Sequence, residues 1–211
     1  MKSVILKELR GHGPFTLLGA AIGVAIVFAL QRMAPDFVTT ERAEALFEFS
    51  HPLHVVLSAM VTATLYKNYR ARAPHSKTGM LAVVLVGYVG AIGIATLSDS
   101  LIPYWGERLL GMEHAHAHIG IVEMPLIINL AAMLGIGAAF FSSRTHFPHT
   151  GHVLLSTAAS FFHILRAQAT AFTFVESVLI TLFLFVAVWI PCCLSDIAFP
   201  LFFTGKSEHQ H

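Results

Sequence analysis

The chain has 211 residues, of which 55% are hydrophobic and 12% charged, with a mean hydropathy of +0.70 and a net charge of +1. A water-soluble domain carries about 25% charged residues, so water is not the main solvent of this surface. The small net charge and dispersed Lys and Arg exclude the basic footprint of a nucleic-acid-binding protein. The two cysteines, Cys192 and Cys193, are adjacent and imply no disulfide framework.

The N-terminus, MKSVILKELRGHGPF, places basic residues before an apolar run of membrane-spanning length with no A-x-A site, and is read as a retained first helix rather than a signal peptide. Six apolar stretches occur in chain order: Pro14 to Met33, Leu53 to Tyr66, Gly79 to Leu97, Ile119 to Phe141, His152 to Leu165, and Phe172 to Phe203. The second and fifth are short. They reach the roughly 20 residues of a span only if flanking polar residues, His51 and His149 among them, lie in the membrane or its interface. The last is too long for one straight span, and Pro191 and Pro200 are expected to break it.

The expected fold class is an all-α integral membrane protein with six transmembrane helices. On one side of that arrangement fall nine basic residues, Lys2, Lys7, Arg10, Lys67, Arg70, Arg72, Lys77, Arg144 and Lys206. The other side takes four, Arg32, Arg42, Arg108 and Arg166. The imbalance places both termini in the cytoplasm, of a bacterial or archaeal inner membrane. Gly19, Gly23, Gly87, Gly90, Gly93, Gly135 and Gly137 are read as points of close helix contact.

The chain also resembles itself. His51-Pro-Leu-His54-Val-Val-Leu-Ser58 matches His149-Thr-Gly-His152-Val-Leu-Leu-Ser156 at an offset of 98. Leu97-Ser98-Asp99 with Pro103 matches Leu194-Ser195-Asp196 with Pro200 at an offset of 97. A looser third match joins Gly13-Pro14-Phe15 to Met124-Pro125-Leu126. Two motifs recurring in the same order with nearly the same gap indicate duplication, giving a first three-helix unit over 1–110 and a second over 111–211 that together form one membrane domain. An odd number of spans per unit inverts the second unit, producing a 3+3 inverted-topology repeat of the kind that recurs in secondary transporters.

Positions i, i+3 and i+7 share a helix face. His51, His54 and Ser58 therefore form a stripe that Thr62 extends, and His149, His152, Ser156, Ser160 and His163 form its counterpart. Such seams belong in a bundle interior. The inverted topology gathers His51, His54 and Asp99 on the outer side, joined by Glu123 and by His114, His116 and His118. His149, His152 and Asp196 gather on the cytoplasmic side, with His12 as a further member. Imidazoles with carboxylates suit a divalent cation of the zinc, iron, manganese or cobalt class. Zinc or iron leads, as substrate or bound ion. Ser58, Thr62, Ser98, Ser156, Ser160, His163 and Ser195 would line the pathway.

Plainer readings stand beside these. A single HxxH at an interface is more often structural. The two Ser-Asp pairs are also suited to capping short helical continuations. The His114-Ala-His-Ala-His118 run is equally a loose metal-attracting loop. Cys192 and Cys193 are soft copper ligands or, with more weight, small packing residues. The C-terminal tail is expected to be disordered.

The leading expectation is a divalent-metal transporter or permease rather than an enzyme, with no separate catalytic residues. Its partners are the lipid bilayer and a metal ion or small solute, with homo-oligomerisation left open. The alternatives are an intramembrane hydrolase with a His/Asp/Glu zinc site, and a proton-coupled transporter of a small anion or organic solute that uses helix N-termini and titratable histidines.

Overall fold

A computed structural model of the chain describes the backbone of residues 2–71, 79–141, 146–168, 170–193 and 199–203, and their side chains except at 2–9, 11–12, 146–149, 193 and 201–202. Among the described residues there are helices and turns but no strand. The long helices are α1 (Lys2–Met33), α2 (Thr40–Ala71), α3 (Met80–Thr96), which continues through a π-helical turn (Leu97–Leu101) into α4 (Ile102–Leu109), α6 (Pro125–Phe141), α7 (His146–Arg166) and α8 (Phe174–Cys193). Two short pieces, α5 (Gly120–Glu123) and α9 (Phe199–Phe202), complete the set.

Local chemistry sets several of these boundaries. Thr39 caps α2, its hydroxyl oxygen accepting the Arg42 amide at 3.3 Å. Thr173 and Glu176 form a reciprocal capping box at the start of α8: the Glu176 amide donates to the Thr173 hydroxyl at 3.2 Å, and the Thr173 amide donates to the Glu176 carboxylate at 2.7 Å. At the end of α4 the amides of Gly111 and Met112 bond back to the carbonyls of Arg108 and Glu107. Gly111 holds the φ of +68° that this reversal demands.

Three helical spans are long and apolar enough to cross a membrane: Gly13–Met33, Met80–Leu109 and Phe174–Cys192. α6 is equally apolar but has 17 residues. The outer surface is rich in large apolar residues, and a polar seam lies inside beside the apolar core. Leu18, Leu81, Leu126 and Leu134 are between 60% and 72% exposed, while His54, Ser58, Thr62, His152, Ser156 and Ser160 are fully buried. Burial of this kind lets the polar α2 and α7 sit within a bundle whose rim is hydrocarbon.

Several expected boundaries are corrected. The stretch from Leu53 to Tyr66 is the middle of the 32-residue α2, because charged residues such as Glu41, Arg42, Glu44 and Glu48 continue the helix beyond the apolar core. The third stretch does not stop at Leu97, since the π turn carries the helix on to Leu109. The fourth is interrupted at Met124 (φ −127°, ψ 52°), immediately before Pro125. Pro191 does not break the last stretch: α8 passes through it to Cys193, and Pro200 lies inside α9. A proline is tolerated there because packed neighbours in a bundle can satisfy the carbonyl it leaves unpaired.

α2 packs along α3, α6 and α7, and α7 packs along α1, α2 and α8. The remaining long contacts pair α1 with α8 and α3 with α6, while α4 touches α7 and α9 touches α2. α2 and α7 run antiparallel, since Leu57 meets Gly151, His54 meets His152 and Phe47 meets His163. Small residues permit this closeness: a methyl group on Gly135 would strike the Val56 carbonyl, and one on Gly87 would press on Ala63 and Ile136 at 3.0 Å. Gly90 is similarly tight against Thr62 and Phe199, whereas Gly23, Gly93 and Gly137 have nothing within 4 Å and are not contact points.

Candidate metal centre

Helical spacing on α2 delivers His51, His54, Ser58 and Thr62 to one buried face, and on α7 it delivers His152, Ser156, Ser160 and His163 to another. The third contributor is the π turn. Ser98, Asp99 and Ser100 are consecutive yet all fully buried, which the 100° step of an ordinary α-helix disfavours and a widened turn accommodates. Ser160 ties α7 to this turn, its hydroxyl lying 2.8 Å from the Ser98 carbonyl oxygen.

Asp99 is the hub. Its Oδ2 accepts from Nδ1 of His54 at 2.6 Å and of His51 at 2.9 Å. Its Oδ1 accepts from the Ser98 hydroxyl at 2.7 Å and the Ser156 hydroxyl at 2.9 Å. A carboxylate offers acceptors only, so both imidazoles carry their proton on Nδ1 and turn an Nε2 lone pair away from it. The two lone pairs meet different fates. His51 Nε2 is covered by Gly120, where any Cβ would collide with it. His54 Nε2 instead faces His152 Nδ1 at 3.2 Å.

That separation suits a shared ion as well as a hydrogen bond. Two nitrogens bound to one tetrahedral zinc at ~2.0–2.1 Å lie about 3.3 Å apart. Cys192 completes the group: the ligand atoms of His54, His152 and Cys192 all lie within 4.8 Å of one another, and all three residues are buried. The Cys192 thiol also reaches the Ser156 hydroxyl at 3.4 Å. Two imidazoles and a thiolate are a fitting donor set for zinc or copper, softer than the His-His-Asp set expected from sequence. Asp99, with its acceptor positions already taken, orients His54 in the manner of a carboxylate–histidine–metal relay.

Beyond Phe47 lies a second polar group. The Phe47 ring stacks on His51 at 5.2 Å between centroids and meets His163 edge-on at 5.4 Å, with the Arg166 guanidinium 4.5 Å from its own centre. His163 Nδ1 pairs with Glu107 Oε1 at 2.6 Å, and both residues are buried. The His118 amide donates to His163 Nε2 at 3.4 Å, and His118 Nδ1 pairs with Glu123 Oε2 at 2.8 Å. Several buried polar atoms make no hydrogen bond of ordinary geometry among the described residues, including Ser58 Oγ, Thr62 Oγ1, Ser100 Oγ and Glu107 Oε2. Such orphans mark places where water or an ion belongs.

The structure thus unites His51, His54, Asp99, Ser98, Ser156 and His152 in one network. His152 does not stand apart in a cluster on the opposite face, because α7 crosses α2 at His54. The side chain of His149, and Ser195 and Asp196, lie outside the described residues, as does the side chain of His12. Asp99 sits inside a continuous helix rather than at a helix end. The Ser98 hydroxyl serves Asp99 and caps nothing. His51 lies about three turns into α2, so no helix N-terminus acts on it.

His114 is exposed, and its amide donates to the Ala167 carbonyl at 3.2 Å. The His114–His118 run is not helical: His114 sits in a turn, and His116 and His118 come together with their rings 4.5 Å apart. Sequence reading gave little weight to Cys192 and none to Glu107. The position of Cys192 next to the second Leu-Ser-Asp motif was the available signal. Comparison with known protein families, with curated proteins and with solved structures finds no match for this chain.

Proposed function

We propose that this chain is a polytopic membrane permease for a divalent transition-metal ion of the zinc class, which it carries through one central site built from His54, His152 and Cys192. The observation that carries this reading is the contact of His54 with His152, the two motif-equivalent histidines, at 3.2 Å in a fully buried network. In an inverted repeat, equivalent residues that touch lie at the pseudo-two-fold axis, and transporters of this architecture bind their substrate there, at the midplane.

The packing scheme supports the six-span, 3+3 arrangement. Exchanging α1 with α6, α2 with α7, α3 with α8 and α4 with α9 leaves the pattern of contacts among these eight helices unchanged. The antiparallel crossing of α2 and α7 agrees with units inserted in opposite senses. The basic-residue asymmetry then puts the 110–124 connection outside and both termini in the cytoplasm. Unpartnered Ser58 and Thr62 hydroxyls continue from His54 toward the cytoplasmic end of α2, along the same face.

The alternatives draw less support. A hydrolase needs room for a substrate beside the metal, but the apolar cavity of about 430 Å³ between α1, α2 and α7 shares no lining residue with the network. An anion site on helix N-termini has no basis at His51.

Zinc uptake into proteoliposomes tests the reading. The wild-type chain is expected to transport zinc, and His54→Ala combined with His152→Ala to reduce uptake to the level of empty vesicles. Undiminished uptake by a correctly inserted double variant would reject it.

A further inference from the structure

The connection between α4 and α6 carries three potential ligands that the central site does not use. His116, His118 and Glu123 present ligand atoms that lie within 4.8 Å of one another. We infer that these residues form a second, weaker metal site at the mouth of the bundle, which captures the ion before it reaches the centre. The capture role rests on the permease reading, whereas the site itself does not.

Two features make this more than a chance cluster on a loop. The connection is held in place before any ion arrives: Gly111 fixes its start, the His114 amide bonds to Ala167, and the His118 amide bonds to His163. Within this connection the rings of His116 and His118 lie 4.5 Å apart, and Glu123 already pairs with His118. Two imidazoles and a carboxylate form a recognised zinc-binding set with room for water in the remaining position.

The second feature lies beneath the loop. Glu107 is completely buried and bound to His163 through one oxygen, while its Oε2 makes no hydrogen bond of ordinary geometry among the described residues, the backbone amide of His116 acting as a donor toward the carboxylate. The His116 and His118 side chains act on it electrostatically. An ion leaving the loop site therefore meets a buried oxygen ligand on the way to His51 and His54.

Weaker binding at the mouth follows from the surroundings. The side chains of His118 and Glu123 are 26% and 38% exposed, against 0% for His54. Water screens and competes at the loop. Arg166, which also interacts with Glu107 and Glu123, opposes a cation there. A site of this kind fills and empties readily, as a capture station must.

Cobalt(II) titration of the purified full-length chain in detergent separates the two sites, because only the central one includes a thiolate and gives sulfur-to-cobalt charge-transfer absorption. Two equivalents are expected for wild type. His116→Ala with His118→Ala should lose the weaker equivalent and keep the charge-transfer band, which also reports that the variant is folded. His54→Ala with His152→Ala should lose the band and keep the weaker equivalent. In uptake assays the loop variant should raise KM by about tenfold or more, as loss of metal contacts does, with the maximal rate little changed. Retention of both equivalents by the loop variant would overturn the second site while leaving the permease reading intact. An unchanged KM would overturn the capture role.

Discussion

Along α2 and α7 the buried residues include a seam of histidines, serines and threonines, whereas on α1, α3, α6 and α8 the residues turned outward include leucines such as Leu18, Leu85, Leu130 and Leu179. The two regions show how one chain meets two environments. In the rim, outward-facing apolar side chains suit helices long and apolar enough to cross a membrane. In the α2–α7 seam, each polar group needs a partner, because unsatisfied groups are costly where no water can reach them. The seam is thus where sequence is most constrained and where chemistry is concentrated.

The contrast makes substitutions of similar size differ widely in effect. Asp99→Ala should be the most damaging, since it strips the acceptor from His51, His54, Ser98 and Ser156 together. The expected cost is about 3–5 kcal/mol, since several buried donors lose their acceptor at about 1–3 kcal/mol each. Thermal unfolding of the detergent-solubilised protein would reveal it, and a melting temperature equal to wild type would show that the network is not structural. Asp99→Asn keeps the shape but can no longer accept from both imidazoles at full strength. It should fold and bind metal about 10–100-fold more weakly at the centre, as loss of an outer-shell partner does. An affinity matching wild type would mean that Asp99 does not orient His54.

At the opposite extreme stands Leu85→Ala on the outward face of α3, where the side chain is 53% exposed. Its effect on stability should stay within about 0.5 kcal/mol. A large loss there would mean that α3 is covered by a second copy of the chain or another protein, so the rim would not be lipid-facing.

Much of this division was legible in the sequence. The apolar blocks located the rim helices, and the HxxH and Leu-Ser-Asp repeats picked out His51, His54, Asp99 and His152 before any geometry was known. Three features were not legible, each for a physical reason. Hydropathy measures composition along the chain and is blind to a π turn, so the helix was ended near Asp99 and Glu107 was left outside it. Periodicity does not give crossing points, so His54 and His152 were assigned to opposite faces although α2 and α7 cross between them. The HAHAH run offers three histidines and nothing in its composition tells which of them meet. The non-helical connection brings His116 and His118 together.

Cys192 is the sharpest case. In sequence it reads with more weight as a small packing residue of an apolar helix, and the approach of His54 and His152 is what favours it as a ligand. X-ray absorption of the zinc-loaded chain therefore tests the central claim most directly. The account predicts a sulfur scatterer at about 2.3 Å together with nitrogens at about 2.0–2.1 Å, the sulfur contribution vanishing in Cys192→Ser. A shell of nitrogen and oxygen alone, or a sulfur signal that survives Cys192→Ser, would contradict it.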